Sequence, residues 1–210
     1  MIFDYTTVGL FFAINLTIYF LISLPLDYFT YFRKNSERKR RNSQDLDITF
    51  TMIITFLVSA YMWLIFLLVP LDVLVGLNIF NDQLLSAFEP FATVIQVLGF
   101  GIVIIATLIA SWGRISRGNR AFSWGIPKKL EKEGMYRYIR HPLYASYCYY
   151  FLGFSMILQH ILILPLLFGI YGYYDLSNYE ESILVDHFGE EYLQYRETVG
   201  RFFPRLQKKD

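Results

Sequence analysis

The sequence predicts an all-α integral membrane protein: five transmembrane helices, the last two a short helical hairpin, followed by a cytoplasmic amphipathic C-terminal helix. Three observations predict it. The first is composition. Of 210 residues 55% are hydrophobic, with 20 Phe and 17 Tyr, and the mean hydropathy is +0.36. That is more apolar and aromatic surface than a soluble domain of this length buries. The second is the recurrence of apolar stretches near the roughly 20 residues that cross a hydrocarbon layer as helix. The third is charge placement. All 19 basic residues fall in three blocks, six in 33–41, eight in 114–140 and five in 196–209, and cytoplasmic loops collect Lys and Arg.

The first three spans are expected over residues 7–29, 48–69 and 91–111. No basic residue precedes the first, as one would in a cleavable signal, so it is expected to insert and stay. The run RKNSERKRR at 33–41 reads as a topology signal. The link 71–90 has no basic residue and carries Asp72, Asp82 and Glu89, which places it outside with the N-terminus. Gly99 and Gly101 lie inside the third span, where close helix packing explains them. The apolar region 143–174 is too long for one span and too short for two full ones, and Gln159 and His160 interrupt it. Two short helices turning around His160 resolve this. The charge pattern demands the same hairpin, because a single span would put the basic block 196–209 on the wrong face. The C-terminus is then cytoplasmic. A helix over 180–199 carries Ile183, Leu184, Phe188, Tyr192 and Tyr195 at helical spacing with acids between, as an interfacial helix does. Phe202, Phe203 and Pro204 would pin the tail to the membrane. Residues 1–90 form an N-terminal helix pair and 91–210 the functional core.

Several function classes drop out. The net charge of +1, with no basic aromatic-interleaved surface beyond the membrane-flanking loops, argues against nucleic acid. Three histidines, His141, His160 and His187, are too few for a membrane di-iron centre, and His160 belongs at the far end of the hairpin. His187 and Glu191 at i, i+4 read as a solvated helix face, so no metal is expected. The single Cys148 reads as a small packing residue in the fourth helix.

Two polar clusters remain. Within GMYRYIRHPLY at 134–144, Arg140, His141 and Pro142 sit at the entry to the hairpin, with Pro142 in the first helical turn where its missing amide costs least. Glu180 and Glu181 lie just beyond the exit. Entry and exit of one hairpin are neighbours, so these groups converge at the cytoplasmic interface. Ionisable groups bordering hydrocarbon suggest a site. The plainer reading makes Arg140 and Tyr144 interfacial anchors and the glutamates a solvated helix start.

The pattern G-x-Y-x-x-x-R-H-P-x-Y, the following Glu-Glu pair and FGEEYLQYRETVGRFFP at 188–204 together resemble the isoprenylcysteine carboxyl methyltransferase family, relatives of the membrane phospholipid methyltransferases. The prokaryotic members are most similar in size and spacing, and the resemblance covers about residues 98–206. It implies five membrane helices and transfer of a methyl group from S-adenosylmethionine to a lipophilic or lipidated acceptor, a prenylcysteine-like carboxylate or a lipid, at the cytoplasmic interface. The cofactor contacts it implies fall on Lys128 and Leu130, on Tyr136, on His141, Pro142, Leu143 and Tyr144, and on Glu180 and Glu181. The alternative for Glu181 is to point inward and brace the basic segment, and both assignments of the pair stay open at this point.

Three positions depart from the family pattern. Lys128 stands where the family commonly has His, Ser146 where Gly is frequent, and Leu176 where an Arg precedes the first Glu by four residues. The resemblance associates that arginine with a substrate carboxylate, which makes Arg137 and Arg140 candidates to replace it. Direct methyl transfer needs no dedicated acid and base, since alignment of the two reactants supplies much of the acceleration. No GxGxG loop suggests a soluble nucleotide fold. Two other readings are an NADPH-dependent reductase of the sterol-reductase type, which shares RHPxY, and a silent scaffold that retains the fold, for which Leu176 argues.

Overall fold

A computed structural model describes residues 3–34, 49–80, 91–117 and 129–205. Lys128, residues 35–48 of the basic run and linker, and residues 81–90 of the expected external link lie outside the described residues. Six α-helices are present among them: α1 (Tyr5–Lys34), α2 (Phe50–Val75), α3 (Ala92–Arg117), α4 (Pro142–Leu158), α5 (Phe168–Phe188) and α6 (Glu190–Thr198). Short 3-10 turns cover Gly134–Arg137 and Ile161–Leu167. The first three helices are long and apolar enough to cross a membrane, and the chain is an integral membrane protein. Each runs a few residues past its apolar stretch. α2, for example, continues through Pro70 to Val75 and is closed by Gly76 at φ 76°, whose N–H returns to the Asp72 carbonyl.

Burial follows from the sequence in two ways. Small residues let α3 and α4 touch. A Cβ on Gly153 would lie 2.6 Å from Val103 Cγ2, and one on Gly99 2.9 Å from Ile157 Cγ1. Gly101 faces open space, so the close-packing expectation holds for only one of the two glycines in that span. Polar residues then tie the helices where water is absent. The Tyr150 hydroxyl donates to Thr107 Oγ1 (3.0 Å), and Thr107 donates to Asn15 Oδ1 (3.0 Å), joining α4, α3 and α1. Around this network pack Phe12, Phe66, Phe151 and Phe154, with Cys148 buried beside them as the sequence implied.

The hairpin turns at the expected place. α4 ends at Leu158, Gln159 takes the left-handed conformation at φ 46°, and His160 Nδ1 accepts the Leu162 N–H at 3.2 Å. Gln159 also donates to the Ala92 carbonyl at 2.8 Å, which fixes the tip against the start of α3. Beyond it the structure departs from expectation. α5 does not stop near residue 174 but continues as one helix to Phe188, so Glu180 and Glu181 lie inside it rather than opening a separate helix. The helix expected over 180–199 is divided at Gly189, whose φ of 53° and ψ of −126° end α5 and start α6. α6 packs inward through Tyr192 and Tyr195, onto Leu130, Leu184 and Val199. The division also separates His187 from Glu191, which pairs with Lys132 at 2.8 Å. Of the three tail residues expected to pin it, Phe202 packs against the core, and Phe203 and Pro204 are exposed.

Because a Cβ on Gly153 would meet both the Val103 side chain and the α3 backbone at Gly99 and Val103, Gly153→Leu is expected to force α3 and α4 apart and to cost about 1–3 kcal/mol. Thermal unfolding in detergent would register this, while the same change at Gly101 should be tolerated.

Candidate functional site

The entry to α4 is shaped by the chain that follows α6. Ile139 and Gly200 form an isolated parallel bridge. The N–H groups of Arg140 and His141 donate to the carbonyls of Gly200 (2.9 Å) and Arg201 (3.2 Å). Upstream, the Ser116 hydroxyl of α3 accepts the Met135 N–H at 2.9 Å, and the Tyr195 hydroxyl donates to the Tyr136 carbonyl at 2.6 Å. Residues 134–141 are therefore clamped between α3 and the C-terminal segment before α4 begins at Pro142, which is buried against Gly113.

Glu181 lies at the centre of this clamp. Its Oε1 accepts from Arg140 Nε (3.1 Å), Arg140 Nη2 (3.0 Å), His141 Nε2 (3.1 Å) and Arg201 Nε (3.1 Å), and its Oε2 accepts from Arg201 Nη2 (3.0 Å). Its side chain is 4% exposed. Arg140 Nη1 donates to the carbonyls of Arg196 (3.0 Å) and Val199. Burial alone would raise the Glu181 carboxyl, but the hydrogen bond and charge of His141, with those of Arg140, outweigh it and hold the group at about 2.

Glu180 faces the other way. Its side chain is 38% exposed, and its Oε2 lies 3.4 Å from His141 Nδ1. Burial disfavours its charge, yet His141, Arg117 and Tyr144 together lower its pKa. His141 is thus bracketed by two carboxylates. Its own burial favours the neutral ring, and hydrogen bonds to Glu180 and Glu181 reverse that and raise its pKa. As imidazolium it donates from both nitrogens at once. The Tyr144 ring stacks on it at 5.5 Å with an interplanar angle of 2°.

The sequence-derived residues thus sort into two groups. His141 and Tyr144 stack beside the half-exposed Glu180, with Tyr136 near them, since Arg117 and Glu180 both act on its hydroxyl. Glu181 and Arg140 are spent on each other. Leu130 points into the cluster under α6, Leu143 is half-buried, and Arg137 is exposed. Leu176 lies one turn before Glu180 on α5 and packs against the core. Sequence reading missed Arg117 and Arg201. Arg117 reads from the sequence only as a topology charge, and Arg201 only as part of the motif ending in RFFP at 201–204, with no role of its own.

Among known families, residues 94–191 match the family described as phospholipid methyltransferase. The chain is 30% identical over 162 residues to the protein-S-isoprenylcysteine O-methyltransferase of Schizosaccharomyces pombe, covering 65% of this chain and 66% of that one. It is 27% identical over 142 residues to the Saccharomyces cerevisiae protein of the same name, covering 64% and 59%. To a methanethiol S-methyltransferase of a Pseudomonas species it is 32% identical over 116 residues, covering 51% and 43%. The chain thus spans between 43% and 66% of the length of these curated relatives. The matches bear out the resemblance to the isoprenylcysteine carboxyl methyltransferases and their phospholipid methyltransferase relatives.

The two glutamates predict opposite phenotypes. Glu181→Gln leaves the buried Arg140 side chain and the partly exposed Arg201 without their anion, which costs about 3 kcal/mol, whereas Glu180→Gln should change thermal stability by well under half of that. The pH profile follows from the same groups. Glu181 is depressed from 4.5 to about 2, so its contribution is present above pH 4.5 and is lost as pH falls toward 2. His141 is raised above 6.5, so its contribution is full below 6.5 and is lost as pH rises through the elevated value. Unfolding midpoints across this range should give a plateau between those limits, and His141→Gln should flatten the alkaline limb.

Proposed function

We propose that this chain is a membrane methyltransferase that binds S-adenosylmethionine in the hollow around Glu180 and transfers its methyl group to a lipophilic acceptor. The observation that carries this is the half-exposed Glu180 carboxylate beside the stacked His141 and Tyr144 rings, a set that fits the ligand's chemistry. The adenosine hydroxyls and the methionine ammonium are donors, which suits an acceptor carboxylate whose inner neighbour is already spent. A cationic sulfonium near an aromatic face gains on the order of 1 kcal/mol, and Tyr144 and Tyr136 offer such faces. The methionine carboxylate needs a cation, and Arg117 is the guanidinium that acts on the same hollow. The chemistry the cofactor supplies when bound is a methyl carbon on a sulfonium, open to in-line displacement by the acceptor.

The chain's own residues supply positioning. Glu181 fixes Arg140, His141 and Arg201, and so holds the entry to α4 against the C-terminal segment. His141 is kept cationic and oriented by its two carboxylates. No side chain is needed as a base if the acceptor arrives ionised or as a thiol with a low pKa. The functional core then begins with α3, in keeping with the family match from residue 94. The hairpin of α4 and α5 completes five spans, with the N-terminus outside and the site cytoplasmic. The asymmetry of the 19 basic residues supports that orientation.

Calorimetry on the detergent-purified protein tests the reading. S-adenosylmethionine and S-adenosylhomocysteine should bind saturably, and Glu180→Ala and His141→Ala should each weaken binding by about tenfold or more. Binding of NADPH instead would assign a reductase, and absence of any binding would leave a silent scaffold.

A further inference from the structure

α2 reaches the residues around Glu180 through two tyrosines. Ser59 and Trp63 stand one turn apart on α2 and so share a face of it. Both lie outside residues 94–191, the stretch that matches the phospholipid methyltransferase family. Ser59 Oγ donates to the Thr55 carbonyl at 2.7 Å. A serine hydroxyl has one proton to give, so at 2.8 Å the Tyr173 hydroxyl is the donor and Ser59 Oγ the acceptor. One turn further on, Trp63 Nε1 donates to the Tyr147 hydroxyl at 3.3 Å. This face of α2 thus holds a tyrosine of α5 and a tyrosine of α4 by their hydroxyl ends. The backbone of α5 also rests directly on it. A Cβ on Gly172 would collide with Thr55 Oγ1, and one on Gly169 would lie 2.8 Å from Val58 Cγ1.

The held rings lead to Tyr144. Tyr173 is buried, stacks on Tyr147 with ring centres 5.1 Å apart, and lies 5.2 Å from the Tyr144 ring. Tyr144 stacks in turn on His141, which is bracketed by Glu180 and Glu181. A buried tyrosine fixed both at its backbone and at its hydroxyl keeps little freedom in the tilt of its ring. Tyr144 therefore sits between a ring fixed from α2 and a ring fixed by the two glutamates. Side chains locked in this way by a surrounding layer of bonds are what hold a reacting geometry to the tolerance that chemistry needs.

We propose that Ser59, acting through Tyr173, is a positioning residue for methyl transfer: it sets the tilt of the Tyr144 ring that faces the sulfonium of the cofactor. α2 is then part of the functional unit and not only a membrane anchor. This rests on the methyltransferase reading for the ligand, though not for the coupling of Ser59 to Tyr144. The attraction between a cation and an aromatic ring requires the cation to stand over the ring face. A change of tilt therefore weakens S-adenosylmethionine, whose sulfur is charged, and spares S-adenosylhomocysteine, whose thioether is neutral. A residue that only packs the bundle would affect both ligands alike.

Calorimetry with both ligands on the detergent-purified protein tests this. In Ser59→Ala and in Tyr173→Phe the ratio of S-adenosylmethionine to S-adenosylhomocysteine affinity should fall by about two- to fivefold, with S-adenosylhomocysteine affinity unchanged. Ser59→Thr, which keeps the hydroxyl, should keep the wild-type ratio. Tyr144→Leu, which removes the ring itself, should lower the ratio at least as far. Each of the first two variants removes a single hydroxyl, and either serves if the other does not fold. A second readout needs no ligand. The Cε1–H resonance of His141 lies in the ring current of Tyr144 and should move in Ser59→Ala and Tyr173→Phe. Those of His160 and His187, assigned with His160→Gln and His187→Gln, should stay in place. Equal weakening of the two ligands, an unchanged ratio, or a His141 resonance that does not move overturns the proposal. So does an unchanged ratio in Tyr144→Leu, because that ring then does not face the sulfonium. Failure of both ligands to bind the wild type, with the His141 resonance moving as expected, overturns the methyltransferase reading and leaves the coupling of Ser59 to Tyr144 standing.

Discussion

One buried carboxylate organises the functional end of this protein. Glu181 takes five hydrogen bonds from three cationic side chains that arrive from two separated stretches of sequence, residues 140–141 and residue 201. A pair of guanidiniums drawn this far out of water is expensive unless neutralised in place. The chain satisfies that requirement with a single residue of α5. Because Arg140 also reaches the carbonyls of Arg196 and Val199, the C-terminal segment cannot leave without exposing unpaired groups. The start of α4, the end of α6 and the tail thus behave as one unit.

That constraint divides labour between adjacent glutamates. Consecutive residues on a helix are about 100° apart, so one can face the clamp while the other faces out. Glu181 is committed to holding the scaffold, and Glu180 keeps a half-exposed carboxylate beside His141, whose pKa the two carboxylates raise. The histidine serves both, bonding inward and outward from its two nitrogens, and this couples the charge at Glu180 to the integrity of the clamp. The aromatic residues Tyr144, Tyr173 and Tyr147 continue from this point between the helices, and Arg114 donates to Tyr19 within the same bundle.

Much of this was legible in the sequence. The three long helices, the turn at Gln159 and His160, and the convergence of the RHP segment on Glu180 and Glu181 follow from apolar length and charge placement alone. What escaped reading has physical causes. The continuity of α5 past residue 174 escaped because the helix carries its polar residues into the interface without a breaker until Gly189. Its left-handed geometry there is invisible in a pattern that reads 180–199 as one amphipathic stripe. The pairing of Arg201 with Glu181 is a contact across 20 residues and a helix break, which no local periodicity encodes. Arg114 and Arg117 looked like topology charges because the sequence cannot show that their side chains turn inward. The choice between Glu180 and Glu181 required the rotation of α5, which only the packing fixes.

The account is tested most directly by determining the structure of the protein with S-adenosylhomocysteine bound. It predicts ligand donors on the Glu180 carboxylate and an aromatic face from Tyr144 or Tyr136, with Glu181 still accepting from Arg140, His141 and Arg201. Ligand bonded to Glu181, with the arginines displaced, or ligand bound away from α5 altogether, would contradict it.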